Sequence, residues 1–266
     1  MSGYQLAGNA PAAYVRFASK ILEPWTDDLI GVARCRDGDR VLDVACGTGV
    51  VASRVTLVSR KNCTVVGIDI NEGMLNVARH NSTIEWHQGS AMELPFDAGS
   101  FDVVLCQQGL QYFSDRAAAM REMARVLVPG GRVAIAVWGR LERHPFHAAL
   151  VDGIGAFLGS EARSAFDLAF SLNTADELRR LARDAGFENV HVRFEHRTAR
   201  HPSPANLVEG FLASTPVAAQ FLALPDEKKT ALVRHVTEQL ASYTDDDGLA
   251  VSQENHFLTA SKPARL

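Results

Sequence analysis

Val41-Leu42-Asp43-Val44-Ala45-Cys46-Gly47-Thr48-Gly49 is a hydrophobic run that closes in a glycine turn. Beyond it Val51, Val55 and Val58 fall at i, i+4 and i+7, one stripe of an amphipathic helix. Strand, tight turn and helix therefore follow one another without a gap. Glycine at such a turn allows sharp chain reversal and close approach of the backbone to a ligand. The next apolar run, residues 65–70, contains Asp69, which stands about 20 residues after the turn, the spacing at which a carboxylate accepts hydrogen bonds from ribose hydroxyls. The two signals in this order point to nucleoside binding.

Working outward, the same unit recurs. Asn71 is the expected N-cap of a helix with Met74, Val77 and Ala78 on one face. Residues 101–106 form a further buried strand, and Ser114 or Asp115 caps a helix carrying Met120, Ala124 and Leu127, ended by Pro129-Gly130-Gly131. Residues 132–138 make another strand. Thr174-Ala175-Asp176-Glu177 has capping-box spacing before a helix with Leu178, Leu181 and Ala185, stopped by Gly186. Val190, Val192 and Phe194 alternate as a strand does, and residues 249–261 supply a last one. The expectation is an α/β fold, a Rossmann-like sheet of about seven mostly parallel strands with helices on both faces. Two stretches stand outside the repeat. Residues 1–30, with Tyr4, Tyr14, Phe17 and Trp25, read as an N-terminal helical lid on a main domain of residues 31–266. Residues 200–245, punctuated by Pro202, Pro204, Pro216 and Pro225, read as a helical cap insertion. Ligands of open α/β sheets bind beyond the carboxyl ends of the strands, so additions covering that edge would choose the substrate.

Residues 40–138 resemble the class I S-adenosylmethionine-dependent methyltransferases, particularly the small-molecule group that includes the ubiquinone and menaquinone biosynthesis enzymes. The resemblance implies that the D-x-x-x-G-x-G turn, here Asp43, Gly47, Thr48 and Gly49, contacts the amino-acid end of the cofactor. It implies that Asp69, with Ile70 beside it, holds the ribose. The stretch His87-Gln88-Gly89-Ser90-Ala91-Met92-Glu93-Leu94-Pro95-Phe96 corresponds to the part that lies against the adenine. Many relatives carry Asp where Ser90 stands; the hydroxyl still accepts a hydrogen bond, without charge. The Ala91 backbone would meet the ring edge. Met74 would pack on the ring face, or fill a gap in the core. Phe101-Asp102-Val103-Val104-Leu105-Cys106-Gln107 corresponds to the strand that ends beside the transferable methyl, which puts Gln107 nearest the sulfonium, with Asp102 supporting the fold. The implied cofactor is S-adenosylmethionine and the implied partner a small-molecule methyl acceptor.

Composition narrows the alternatives. Lys and Arg total 27 against 31 Asp and Glu, a net charge of −4, which offers no field to gather phosphate backbones. After Gln107 the chain reads Gln108-Gly109-Leu110, without the Asn/Asp-Pro-Pro-aromatic string of nucleic-acid methyltransferases, and no nucleic-acid partner is expected. Four scattered cysteines form no C-x-x-C pair and fit a reducing cytoplasm, and no metal site is expected. No apolar run suits a membrane span or signal peptide. A nicotinamide-dependent oxidoreductase shares the strand, glycine turn and acid, but Val50, Val51 and Ala52 stand where a third glycine is usual. A methyltransferase-fold protein that binds the cofactor without transferring methyl is the other alternative.

Methyl transfer from a sulfonium is an in-line displacement dominated by positioning. An oxygen or nitrogen acceptor can require a base, for which His144, His147 and His201 are the candidates among nine histidines, none of them assigned. Tyr4, Tyr14, Phe17, Trp25, Tyr112 and Trp138 are candidates to line an apolar acceptor pocket. Phe146, Phe157, Phe166, Phe170, Phe211 and Phe221 have helical spacings that suit helix packing as well.

Overall fold

The computed structural model describes residues 10–58, 63–81 and 83–264, so Tyr4 lies outside the described residues. Five parallel strands carry the first half of the sheet: β1 (Arg40–Val44), β2 (Thr64–Asp69), β3 (Glu85–Gln88), β4 (Phe101–Gln107) and β5 (Leu127–Trp138). Next come β6 (Glu188–His201), the two-residue β7 (Thr244–Asp245) and β8 (Gly248–Ser261). The order is β3-β2-β1-β4-β5-β8-β6, with β8 antiparallel to both its neighbours and β7 paired only to β8. The expected seven-stranded, mostly parallel sheet is therefore present, with one short extra strand. The chain winds outward from β1 in one direction and from β4 in the other, so the crevice at the carboxyl ends of β1 and β4 is the topological switch point.

The central strands are buried on both faces, which is why they read as near-continuous apolar runs rather than alternating ones. Val41, Val65, Val103, Leu105, Ala134 and Ala136 point into one core layer; Leu42, Val66, Ile68, Val104, Val133 and Ile135 point into the other. The helices, in chain order, begin with α1 (Ala10–Arg16), α2 (Ala18–Ala33), α3 (Val50–Val58) and α4 (Glu72–Ala78). They continue with α5 (Arg116–Val126), α6 (Pro145–Leu158), α7 (Ser160–Asp167) and α8 (Ala175–Asp184). The last three are α9 (Pro204–Leu212), α10 (Ala218–Ala223) and α11 (Asp226–Gln239). Residues of α2, α3, α6, α9 and α11 enter the first layer, and those of α5 and α8 the second.

Several local expectations shift. Val51 and Val55 are buried in α3, but Val58 at its end is 40% exposed. Asp115 is the N-cap of α5, accepting from the Ala118 amide, while the buried positions are Ala119, Met120, Met123 and Val126 rather than a stripe through Ala124 and Leu127. Leu127 instead begins β5, because Pro129 biases Val128 to extended backbone and stops the helix early. Asn71 caps α4 by accepting from the Met74 amide, and Thr174 caps α8 by accepting from the Glu177 amide, but Glu177 turns its carboxylate to Arg116 at 3.1 Å. In the N-terminal stretch α2 runs through residue 30 to Ala33 and sinks into the core: Trp25 is fully buried, donates to Gln253 Oε1 at 3.0 Å and meets Trp138 edge-on. None of the described helices is long and apolar enough to cross a membrane.

Candidate active site

The turn after β1 is built from residues in the left-handed region: Ala45 at φ +57°, Gly47 at +55° and Gly49 at +81°. Two carboxylates fix it. Asp43 Oδ2 accepts from the Ala52 amide at 3.0 Å, tying β1 to the first turn of α3. Asp69, from the end of β2, accepts from the Gly47 amide through Oδ2 and from the Asn71 amide through Oδ1, each at 2.8 Å. A carboxylate has about four lone-pair directions, so Asp69 keeps acceptor capacity for a ligand. Burial raises the pKa of both acids, against the pull of the amides they accept from; Asp43, with the charge of Asp69 adding to the effect, is pushed up to about 8.

Two adjacent hollows open at this turn. The larger, about 1100 Å³ counted to its open mouth, is bordered by Gly47, Asp69, Ile70, Met74 and Gln107 on the sheet side. Tyr14, Tyr112, Trp138, His147, Phe166 and Phe211 complete its lining. The smaller, about 390 Å³, includes Asp43, Thr48, Ser19 and Cys46, and shares Tyr14, Gly47 and Gln107 with the first. In the smaller hollow Asp43 Oδ1 and Thr48 Oγ1 are buried with no hydrogen-bond partner. Buried polar atoms left open in a native fold call for a ligand or water.

The ten residues expected at the cofactor separate accordingly. Asp43, Thr48, Gly47, Asp69, Ile70, Met74 and Gln107 border one or both hollows; Gly49, Ser90 and Ala91 border neither. Gly49 instead lies under the Trp86 ring, as does Gly67 of β2: a Cβ at either position would run into the indole. Ser90 Oγ accepts from the Met92 amide at 3.2 Å, and Ala91 packs against the second core layer. Gln107 is held by α2, donating to the Leu22 carbonyl and accepting from Thr26 Oγ1, both at 3.0 Å, so its amide is engaged before any ligand arrives. Asp102 accepts from the Arg40 amide and guanidinium at the start of β4, away from the hollows.

Of the three histidines, His201 is turned onto its own loop, with Nδ1 near the Ser203 amide at 3.2 Å. His144 is fully buried outside the hollows, Nε2 accepting from the Glu254 amide at 3.4 Å, and burial lowers it to about 4. His147 alone of the three borders the larger hollow. Among the aromatic candidates Tyr14, Tyr112 and Trp138 also border it, while Trp25 is core and Phe17 covers Gly210. Burial raises both tyrosine phenols, which stay neutral donors.

Some site residues gave no sequence signal. Gln108, at φ +56°, donates to Asn255 Oδ1 at 2.7 Å and accepts from Gln111 Nε2 at 2.7 Å and from the Trp138 amide at 3.1 Å, stitching β4 to β5 and β8. Its partners lie up to 147 positions away, so local pattern could not announce it. Trp86, which roofs the glycine turn, sits on a strand of four residues with its Nε1 donating to the Asn81 carbonyl at 3.0 Å.

Comparison with known proteins agrees with this architecture. The model of the ubiE/COQ5 methyltransferase family matches residues 17–199. The ubiquinone/menaquinone biosynthesis C-methyltransferase UbiE of Cronobacter sakazakii is 31% identical over 189 residues, covering 65% of this chain and 74% of that protein. Its Escherichia coli counterpart is 32% identical over 190 residues, covering 64% and 74%. Among solved structures, the YcgJ protein from Bacillus subtilis superposes with a TM-score of 0.60 at 18% identity, covering 90% of this chain and 98% of that one. The Haemonchus contortus phosphoethanolamine N-methyltransferase 2 bound to S-adenosylhomocysteine gives 0.58 at 20% identity, covering 90% and 52%. The [4+2]-cyclase SpnF gives 0.57 at 21% identity, covering 99% and 87%, so the fold is shared with a protein named for another reaction.

Proposed function

We propose an acceptor and a set of cofactor contacts for this enzyme on the premise that the chain belongs to the ubiE/COQ5 methyltransferase family and uses S-adenosylmethionine. The cofactor supplies an activated methyl on a sulfonium. The smaller hollow takes its amino-acid end: Asp43 Oδ1 suits the ammonium and Thr48 Oγ1 the carboxylate, because both are buried and unpaired. Asp69 holds the ribose hydroxyls, and Ile70 and Met74 flank the base. Gln107, locked by α2, is a fixed wall at the junction of the two hollows, where the methyl would be presented. Ser90 and Ala91 have a place in the scheme only through backbone or water contacts with the adenine edge.

The acceptor proposed is a small, flat, mostly apolar metabolite. The observation that carries this reading is the composition of the larger hollow beyond Gln107, where Tyr112 and Phe113 from the turn after β4 meet Trp138 of β5, Phe166 of α7 and Phe211 of α9. The curated relatives are named as C-methyltransferases of quinone biosynthesis, which favours an aromatic carbon as the attacked atom. Tyr14 on α1 borders both hollows and packs with Met74 of α4 and Ala218 of α10. This supports the lid role for the N-terminal stretch and the cap role for residues 200–245. Enclosure by these elements favours a small molecule over a nucleic acid.

The test has two stages. Calorimetric titration with S-adenosylhomocysteine is expected to saturate while NAD shows no binding; the reverse would remove the methyltransferase reading of the site. Transfer of labelled methyl from S-adenosylmethionine is then measured over a panel of phenols, hydroquinones and aliphatic amines. Product confined to the aromatic members supports the acceptor assignment, product confined to the amines overturns it, and binding without transfer to any member favours a cofactor-binding protein without transferase activity.

Asp43 adds a proton signature. With its pKa at about 8 it is mostly protonated at pH 7, and an ammonium arriving at Oδ1 lowers that pKa. Binding of S-adenosylhomocysteine at pH 7 is therefore expected to release close to one proton, read as a difference in binding enthalpy between phosphate and Tris buffers. The difference should fade at pH 9, where Asp43 is already ionised, and vanish in Asp43→Asn. Equal enthalpies in the two buffers at pH 7 would contradict the placement of the ammonium.

A further inference from the structure

Away from the glycine turn the larger hollow is lined mostly by apolar and aromatic side chains, and one of its polar groups stands out. His147 of α6 borders it, yet its ring is packed among Trp138 at 5.5 Å, Phe146 at 5.4 Å, Phe170 at 5.4 Å and Phe211 at 5.5 Å between centroids. Its Nδ1 is buried with no hydrogen-bond partner. A polar nitrogen sealed unpaired among aromatic rings carries a desolvation penalty that phenylalanine or leucine would avoid at the same place. The fold bears that penalty on the wall where an acceptor would lie. Thr215 and Gln108 also border the hollow, but the Thr215 hydroxyl donates to the Leu212 carbonyl and the Gln108 amide is committed to Asn255, Gln111 and Trp138. Tyr14 and Tyr112 bring phenols to the same hollow, but among the described residues bordering it His147 Nδ1 is the side-chain polar atom that is buried without a partner.

We propose that His147 is the acceptor-selecting residue, its imidazole accepting a hydrogen bond from a hydroxyl carried on an otherwise apolar aromatic ring. This rests on the proposed function above and adds to it the side chain that would tell a ring hydroxyl from a plain hydrocarbon or an alkylated ether. The protonation state fits. The one titratable side chain against the ring among the described residues is His144, with centroids 5.6 Å apart, and the other ring neighbours are uncharged. Burial first, and His144 second, hold His147 well below the usual histidine range, so it is a neutral imidazole with a free lone pair. A neutral group also avoids placing a cation beside the sulfonium that the methyl donor brings.

The experiment compares binding of 2-naphthol and naphthalene to the full chain saturated with S-adenosylhomocysteine, in wild type and in His147→Phe. Phenylalanine keeps a ring among its aromatic neighbours and removes both nitrogens. Wild type is expected to prefer 2-naphthol by about tenfold, the value of one buried hydrogen bond. That preference is expected to stay constant between about pH 6.5 and 8, as a neutral imidazole requires. In His147→Phe the preference should fall to about one while naphthalene binds as before, a change that loss of a merely structural side chain would not produce. His147→Leu is read the same way should His147→Phe fail to bind S-adenosylhomocysteine. A preference that survives in both variants, or is absent from wild type while both probes bind, overturns the role of His147 and leaves the apolar acceptor site standing. Failure of both probes to bind wild type overturns the apolar acceptor site itself, and the role of His147 with it.

Discussion

Asp69→Ala is expected to weaken S-adenosylhomocysteine binding by about 100- to 1,000-fold. The carboxylate does two jobs: it fixes the glycine turn through the Gly47 and Asn71 amides, and it borders the hollow that would receive the ribose. Hydrogen bonds to a charged group contribute roughly 1.5–3 kcal/mol each, so losing two ligand contacts reaches that range without counting disorder of the turn. Stability should move the other way or hardly at all. Burial raises the Asp69 pKa, which means that the fold disfavours its charge, and removing the carboxylate relieves that penalty as it strips the two amide contacts. The melting temperature of the unliganded variant is therefore expected to stay within a few degrees of wild type. Asp69→Asn keeps the shape and one acceptor oxygen and should fall between the two. Calorimetry and thermal unfolding on the same preparations check both halves, and affinity within threefold of wild type in Asp69→Ala would dismiss the ribose assignment.

Gly67→Ala should act on stability rather than on the ligand. Its Cβ would enter the space of the Trp86 ring on one side and lie 3.1 Å from Cys46 Sγ on the other, in the middle of a buried strand. Overpacking of this kind costs about 1–3 kcal/mol, and for a chain of this length each kcal/mol shifts the melting temperature by roughly 2–4 °C. A fall of about 5–10 °C is expected. Gly49→Ala meets the same indole and adds the strain of φ +81°, so it should fall further. Trp86→Leu makes room for the new methyl, and the double variant Gly67→Ala/Trp86→Leu should be more stable than the sum of the single effects implies. Strict additivity would show that the indole is not what excludes a side chain there.

Much of the glycine-turn side of the hollows was legible because its signals are local. A buried parallel strand writes itself as an apolar run, a left-handed turn as glycine, and a strand-end carboxylate as a lone acid after such a run, as Asp43, Gly47 and Asp69 illustrate. The acceptor end was not, because it is assembled across the chain. The helices α6 and α7 were read only as aromatics at helical spacings, since Phe146 and Phe166 come together only against Phe211 of α9. Gln107 was legible by position, but its capture by Leu22 and Thr26 depends on α2 crossing the end of β4, which no periodicity encodes. Ser90 and Gly49 also have local structural parts that their motif positions do not announce: the Ser90 hydroxyl accepts from the Met92 amide, and Gly49 makes room for Trp86.

The last rung between β6 and β8 pairs His201 with Leu249, so the chain from 202 leaves the β6–β8 ladder and, after the short β7 and Gly248, rejoins it at the facing position. Such a segment is a cassette. The ladder closes behind it whatever its length, and the entropy of closing a loop grows only slowly with the number of residues in it. What the cassette must bring is an apolar underside, as Leu207, Leu212, Leu232 and Val236 do here, and a rim such as Phe211, Thr215 and Pro216 to face the bound molecule. Exchange of residues 202–248 between relatives is thus expected to recast the part of the larger hollow lined by Phe211, Thr215 and Pro216 while the glycine turn after β1 keeps its own strand and helix, so the two can change on separate pieces of chain.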